Sequence, residues 1–297
     1  MNAPACRNYA GTTALVKTGY WETRMGQASQ ETEHTSRARA GAHTWAADLL
    51  GYGLGGLGLG ALLVAGSLAP ALLLPVQLGL WLLLGSVLVL ATPTDRPLTP
   101  ARAYGDPGPA NRVTLARAAL TLPLAGLALT PGLTGDAALL FVILGLALTA
   151  LILDGVDGAV ARRTGTASTF GARFDMELDA VMILALAALA WLLAPVGPWV
   201  LLIGALRYAF LAAAYPAPWL SAALPPSRRR QTICVLQTLV LLMVLFPGMP
   251  DPAANLVAGL GLAALAGSFA VDSLWLYRHR PRATASRRAR SRTVGRH

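Results

Sequence analysis

Residues 135 to 179 read GDAALLFVILGLALTALILDGVDGAVARRTGTASTFGARFDMELD. Up to Leu153 the stretch is apolar, rich in leucine and alanine, and shows no alternation. Crossing the roughly 30 Å hydrocarbon core of a bilayer takes about 20 helical residues. In lipid only helices and closed barrels satisfy their backbone hydrogen bonds, and barrel strands alternate. The run at 135–160 is therefore expected to be a membrane-crossing helix, and a second run of the same kind follows at 172–194. Four aspartates, Asp154, Asp157, Asp175 and Asp179, lie at the joint between the two.

Working outward, similar runs occupy 46–69, 72–92, 112–131, 196–215, 231–247 and 253–276. Proline and glycine punctuate them, as in Pro131-Gly132, Pro195-Val196-Gly197-Pro198 and Pro247-Gly248-Met249-Pro250. The composition agrees. Of 297 residues 55% are hydrophobic and only 13% are charged, against about 25% charge in a soluble domain. The expected fold is all-α, a polytopic membrane bundle of eight helices.

The net charge is +10, and Lys17 is the only lysine. A basic chain can bind nucleic acid, but these arginines flank apolar runs, which is the pattern of a membrane surface. No nucleic-acid partner is expected. Cys6 and Cys234 lack metal-ligand spacing, and no disulfide is expected. Residues 1–44 are polar, so no cleavable signal peptide is expected there.

Arginine placement orients the bundle. The N-terminal tail, Arg96, Arg102, Arg162, Arg163, Arg173, Arg228 to Arg230 and the C-terminal tail fall on one side of an eight-helix alternation. The breaks at 131–134, 195–198 and 247–252 carry no arginine or lysine and fall on the other. The positive-inside rule makes the arginine side cytoplasmic, with both termini inside. The membrane is expected to be a bacterial-type inner membrane.

Asp154 and Asp157 are three residues apart, and Asp175 and Asp179 are four apart. On helices each spacing puts both carboxylates on one face, and a tight hairpin brings the pairs together. Each charge placed mid-membrane costs about 2.5 to 3.5 kcal/mol. Protonation, arginine pairing or bound cations must compensate. Arg162, Arg163 and Arg173 are the nearby arginines for a plain charge network. Carboxylates in this number suit Mg²⁺, Mn²⁺ or Ca²⁺ rather than zinc. A two-metal site for phosphoryl chemistry is the natural reading.

The segment resembles the CDP-alcohol phosphotransferase family, whose signature is D-x2-D-G-x2-A-R-x8-G-x3-D-x3-D. Asp154, Asp157, Gly158, Ala161, Arg162, Gly171, Asp175 and Asp179 meet every position. A second likeness lies in the first core helix, where relatives show P-N-x-x-T-x-x-R. Asn111, Thr114 and Arg117 fit it, and Ala110 replaces the proline. Read without the family, Asn111 is equally a helix N-cap.

Two extra N-terminal transmembrane helices are expected at 45–93 from the apolar runs alone, and the resemblance implies a six-helix catalytic core over 111–277. Outside these lie a disordered cytoplasmic tail at 1–44, a linker at 94–110 and a basic cytoplasmic tail at 278–297. It implies Asp154, Asp157, Asp175 and Asp179 as ligands of two Mg²⁺ or Mn²⁺ ions, with Asp179 also the catalytic base. Asn111, Thr114, Gly158, Arg162 and Ser168 would bind the CDP-lipid, typically CDP-diacylglycerol. Arg117, Arg207 and Arg229 are the candidates for the acceptor pocket, and relatives are typically homodimers.

Arg207 lies inside an apolar run, where an uncompensated charge is expensive. With Arg228, Arg229 and Arg230 it suits an acceptor bearing phosphate. Glycerol 3-phosphate is the first expectation, and inositol phosphate, choline or another alcohol the alternatives. Glu177 is read as a salt-bridge partner of Arg173 or as a residue tuning the acceptor site. A divalent-cation transporter or a catalytically inactive membrane protein is the reading of another class. Transport needs acids spread through the membrane depth, whereas these cluster at one face.

Overall fold

The computed structural model describes residues 46–91, 108–164, 169–222, 224–225 and 227–280, with the backbone alone at 89, 91, 108–110, 157–164 and 169–170. The expected N-terminal tail, the linker up to residue 107 and the C-terminal tail from residue 281 lie outside the described residues. Eight α-helices appear among the described residues, with no strand. They are α1 (Ala46–Ala65), α2 (Leu73–Ala91), α3 (Gly108–Leu129), α4 (Ala137–Thr164), α5 (Thr169–Leu193), α6 (Leu201–Ala214), α7 (Arg228–Val244) and α8 (Asp251–His279). Short 3₁₀ turns at Pro198–Val200 and Pro218–Ser221 flank α6.

In α1, α3, α4, α5 and α8 the helix is long and apolar enough to cross a membrane. α2 and α6 are shorter apolar helices, and α7 starts on Arg228, Arg229 and Arg230. The chain is an integral membrane protein of all-helical, polytopic architecture. Gly132 (φ +80°) and Gly248 (φ +83°) follow α3 and α7 in a backbone region that glycine enters without steric cost. Pro250 precedes α8 in extended conformation. The helices extend past the apolar runs at their arginine ends. α4 continues to Thr164, α7 begins at Arg228 and α8 reaches His279. Hydropathy marks only the part of a helix that lies in hydrocarbon, whereas long arginine side chains let the helix continue into the headgroups.

The core is a ring of four helices, in which α3 packs on α4 and α5, and α7 packs on the same two from the other side. α4 and α5 stand on the diagonal and do not pack broadly on each other among the described residues. The connection expected to make the tight α4–α5 hairpin, residues 165–168, lies outside the described residues, and along the described lengths α3 and α7 pack between the two helices. Outside the ring, α6 packs on α5, α8 on α7 and α6, and α2 on α3.

Glycines set several of these contacts. A Cβ on Gly204 of α6 would lie 2.5 Å from the Leu184 Cα of α5. Backbone cannot yield as a side chain can, so Gly204→Ala is expected to destabilise the protein by about 2 kcal/mol. Thermal unfolding in detergent measures it, and an unchanged melting temperature would show that α5 and α6 have slack.

The N-terminal hairpin docks in the same way. Gly53, Gly56 and Gly60 of α1 face Trp81 and Gln77 of α2, the small-residue approach common in membranes. The Gln77 amide donates to the Gly56 carbonyl at 2.6 Å. On α3, Pro123 lacks the N–H that would bond the Ala119 carbonyl. That carbonyl faces Gly56, 3.2 Å from where a Cβ would stand. Arg112 of α3 and Asp48 of α1 add an ion pair at 2.9 Å.

Candidate active site

Each helix of the ring contributes to one cluster. Asp154 comes from α4 and Asp175 and Asp179 from α5, and each offers a carboxylate oxygen within 4.8 Å of the other two. Arg117 of α3 lies among them, and its side chain is 1% exposed. One guanidinium nitrogen donates to Asp175 Oδ1 and the other to Asp179 Oδ1. The second nitrogen also lies 3.0 Å from Asp154 Oδ1. From α7 the Cys234 thiol donates to Asp179 Oδ2 at 3.7 Å.

Local sequence explains the convergence. Asp175 and Asp179 are one helical turn apart, so both point at α3, and the planar fork of Arg117 matches two carboxylates at once. Among the described side chains three carboxylates meet one guanidinium, a formal excess of two negative charges. The aspartate side chains are not sealed off, at 26%, 34% and 19% exposure for Asp154, Asp175 and Asp179. A set of hard oxygens with residual negative charge and open edges fits a hard divalent cation. Asp157 follows Asp154 by three residues on α4, where only the backbone is described.

The other residues singled out in the sequence divide into three groups. Thr114, buried, and Asn111 precede Arg117 at three-residue steps on α3. Gly158 and Arg162 lie in the last turns of α4 with only their backbone described, and Ser168 lies outside the described residues. Arg207 and Arg229 are held elsewhere. Arg207 Nη2 lies 2.5 Å from Glu177 Oε1, and its Nε has no hydrogen-bond partner among the described residues. Two residues of helix amount to about 200° of rotation, so Glu177 turns away from Asp175 toward α6. Arg229 donates to the Ser268 carbonyl at 2.8 Å and to Asp272 Oδ1 at 2.5 Å, both on α8.

Among the described side chains the cation beside the acids is Arg117, and the side chains of Arg162 and Arg163 lie outside the described ones. Glu177 pairs with Arg207 rather than Arg173. Two participants, Cys234 and Asp272, are absent from the sequence-derived site. Cys234 carries no signal in its own neighbourhood, since its partner is 55 residues away. Asp272 did carry one, because it is a carboxylate inside an apolar run and such a group demands a partner. It is buried and bonds to Arg229 and Arg230.

A family model described as CDP-alcohol phosphatidyltransferase matches residues 109–270, more than half of the chain. The match takes in α3 to α7 and most of α8, and leaves α1 and α2 outside. Neither a curated protein nor a solved structure matches the chain.

Proposed function

The chain belongs to the CDP-alcohol phosphatidyltransferase family, and from that premise we propose that it moves a phosphatidyl group from CDP-diacylglycerol to glycerol 3-phosphate with release of CMP. The observation that carries the reading is the meeting of Asp154, Asp175 and Asp179 within 4.8 Å of one another, inside the segment the family covers.

Asp154, Asp157, Asp175 and Asp179 hold the divalent ions in this reading, with Mg²⁺ the first choice and Mn²⁺ the second, two ions in all. Bound there, they would neutralise the pyrophosphate and make CMP a better leaving group. Asn111, Thr114, Gly158, Arg162 and Ser168 orient the nucleotide. Asp179 takes the proton of the acceptor hydroxyl. The acceptor oxygen then forms a bond to the phosphatidyl phosphorus as the bond from that phosphorus to CMP breaks. Arg117 keeps Asp175 and Asp179 in one register, so the base stays beside the site of attack. By the positive-inside rule the site faces the cytoplasm, on the side of Arg228 to Arg230 and of the α8 C-terminus.

The choice of a phosphate-bearing acceptor rests on Arg228 and on Arg230, which shares Asp272 with Arg229, at the start of α7, the helix that brings Cys234 to Asp179. A second reading has its own support. Arg207 and Arg229 are already matched by Glu177 and Asp272, which favours an acceptor without phosphate, such as choline or another alcohol. Purified protein in detergent with CDP-diacylglycerol decides between them. CMP release and lipid mass should appear with glycerol 3-phosphate and Mg²⁺ and vanish with EDTA. Product only with choline or another alcohol that lacks phosphate would select the second reading, and turnover in EDTA would remove the metal from the mechanism.

The cation-transport reading draws no support from this geometry. The acids gather at one point among the four ring helices instead of following a path across the membrane.

A further inference from the structure

The hairpin α1–α2 lies outside the segment that the family covers, yet it is built onto the acid site. On α2, Leu88 packs in one cluster with Leu115 of α3 and Phe174 of α5. Trp81 packs in a second with Ala118 and Leu122 of α3 and Leu178 of α5. Leu49 and Tyr52 of α1 back both clusters. Phe174 and Leu178 immediately precede Asp175 and Asp179, so α2 fills the outer groove between α3 and α5 at the level of the aspartates. Leu115, two residues before Arg117, and Ala118, just after it, bring the same clusters to the level of the guanidinium. The groove's inner side carries the Arg117 fork that joins these two helices.

We propose that the α1–α2 hairpin is a brace for the acid site. It sets the spacing of α3 and α5 at the level of Arg117, and through that spacing it sets the affinity of Asp154, Asp175 and Asp179 for a divalent cation. Leu88 is then a positioning residue that acts through Phe174 and Leu115. The inference rests on the reading of these aspartates as metal ligands. It does not depend on which alcohol is the acceptor, or on turnover.

A matched pair of truncations in the full-length protein tests it. Leu88 packs at the acid level. Leu73, fully buried at the other end of α2, packs against Gly126 of α3, fifteen residues and about 22 Å of helix away. Half-saturating Mg²⁺ is read from the metal-induced rise in melting temperature, which needs no substrate. Leu88→Ala is expected to raise it about tenfold, the scale on which supporting residues act on a metal. Leu73→Ala, though it also lowers the melting temperature in EDTA, should leave it within about twofold of the parent. Leu88→Met, which conserves volume, should restore it, and Leu88→Val serves if the alanine variant does not fold. Equal half-saturation in the Leu88 and Leu73 variants would overturn the brace. Absence of any Mg²⁺ response in the parent would overturn the metal reading on which it rests.

Discussion

Replacing Arg117 by glutamine is expected to lower stability in EDTA by about 3 kcal/mol, with most of that loss recovered in Mg²⁺. Arg117 is 1% exposed and bonds to Asp154, Asp175 and Asp179. Removing one member of a buried charge network leaves the others uncompensated, which costs about 3 to 5 kcal/mol. The lower figure applies because the aspartates retain partial exposure. Glutamine keeps an amide donor but supplies no charge, so three carboxylates face one another with nothing between them. A divalent cation answers that deficit, so the melting temperature should rise more with Mg²⁺ in the variant than in the parent. Activity should fall as well, because Asp179 loses the group that holds its register. Thermal melts in EDTA and in saturating Mg²⁺ measure both effects. A variant as stable as the parent in EDTA would mean that the acids find another cation within the chain.

Asp179→Asn is expected to reduce kcat by about 10³-fold, the middle of the range for loss of a general base. Asparagine is nearly the same size and still accepts a hydrogen bond from Arg117, so the fold should survive with an unchanged or higher melting temperature in EDTA. One negative charge fewer also weakens the site for cations, and half-saturating Mg²⁺ should rise. Asp175→Asn separates the two roles. If Asp179 is the base, the Asp175 variant should recover much of its rate at high Mg²⁺ whereas the Asp179 variant should not. Steady-state CMP release across a Mg²⁺ series tests this, and equal recovery in both variants would assign the base elsewhere.

The helical architecture could be read from the chain because its cause is local. A run of apolar residues without alternation has one way to satisfy its backbone in lipid, and proline and glycine mark where it stops. The meeting of Asp175 and Asp179 could be read for a related reason, since a spacing of four puts both on one face, whereas the Asp157 side chain lies outside the described ones. The partner of that pair could not. Arg117 meets Asp175 and Asp179 across 58 and 62 residues, and no periodicity connects positions so distant. Ring packing makes α3 the neighbour of α5, a relation that sequence distance does not express.

Two of the acceptor candidates illustrate the complementary difficulty. Arg207 and Arg229 are intramembrane or interfacial charges in search of partners, and each has one in Glu177 or Asp272. An arginine in an apolar run announces that something negative lies nearby, but substrate phosphate and protein carboxylate give the same announcement. The rotation of about 200° between Asp175 and Glu177 was open to inspection all along. It separates the face of α5 that turns to Arg117 from the face that turns to α6.

The position of Arg117 ahead of its acids also bears on how the chain is assembled. Helices enter a membrane in the order of their synthesis, at about 5 to 20 residues per second. Asp175 and Asp179 emerge 58 and 62 residues after Arg117, a delay of roughly 3 to 12 seconds at that pace. When the aspartates arrive, their cation is already at the right depth. Arg117 itself has no such host, and during the wait the earlier hairpin, with Asp48 reaching Arg112 and Trp81 against Ala118, is the protein surface available to shelter α3. Chain order thus presents one ready counter-charge to the three aspartates, Asp154, Asp175 and Asp179, that gather on Arg117.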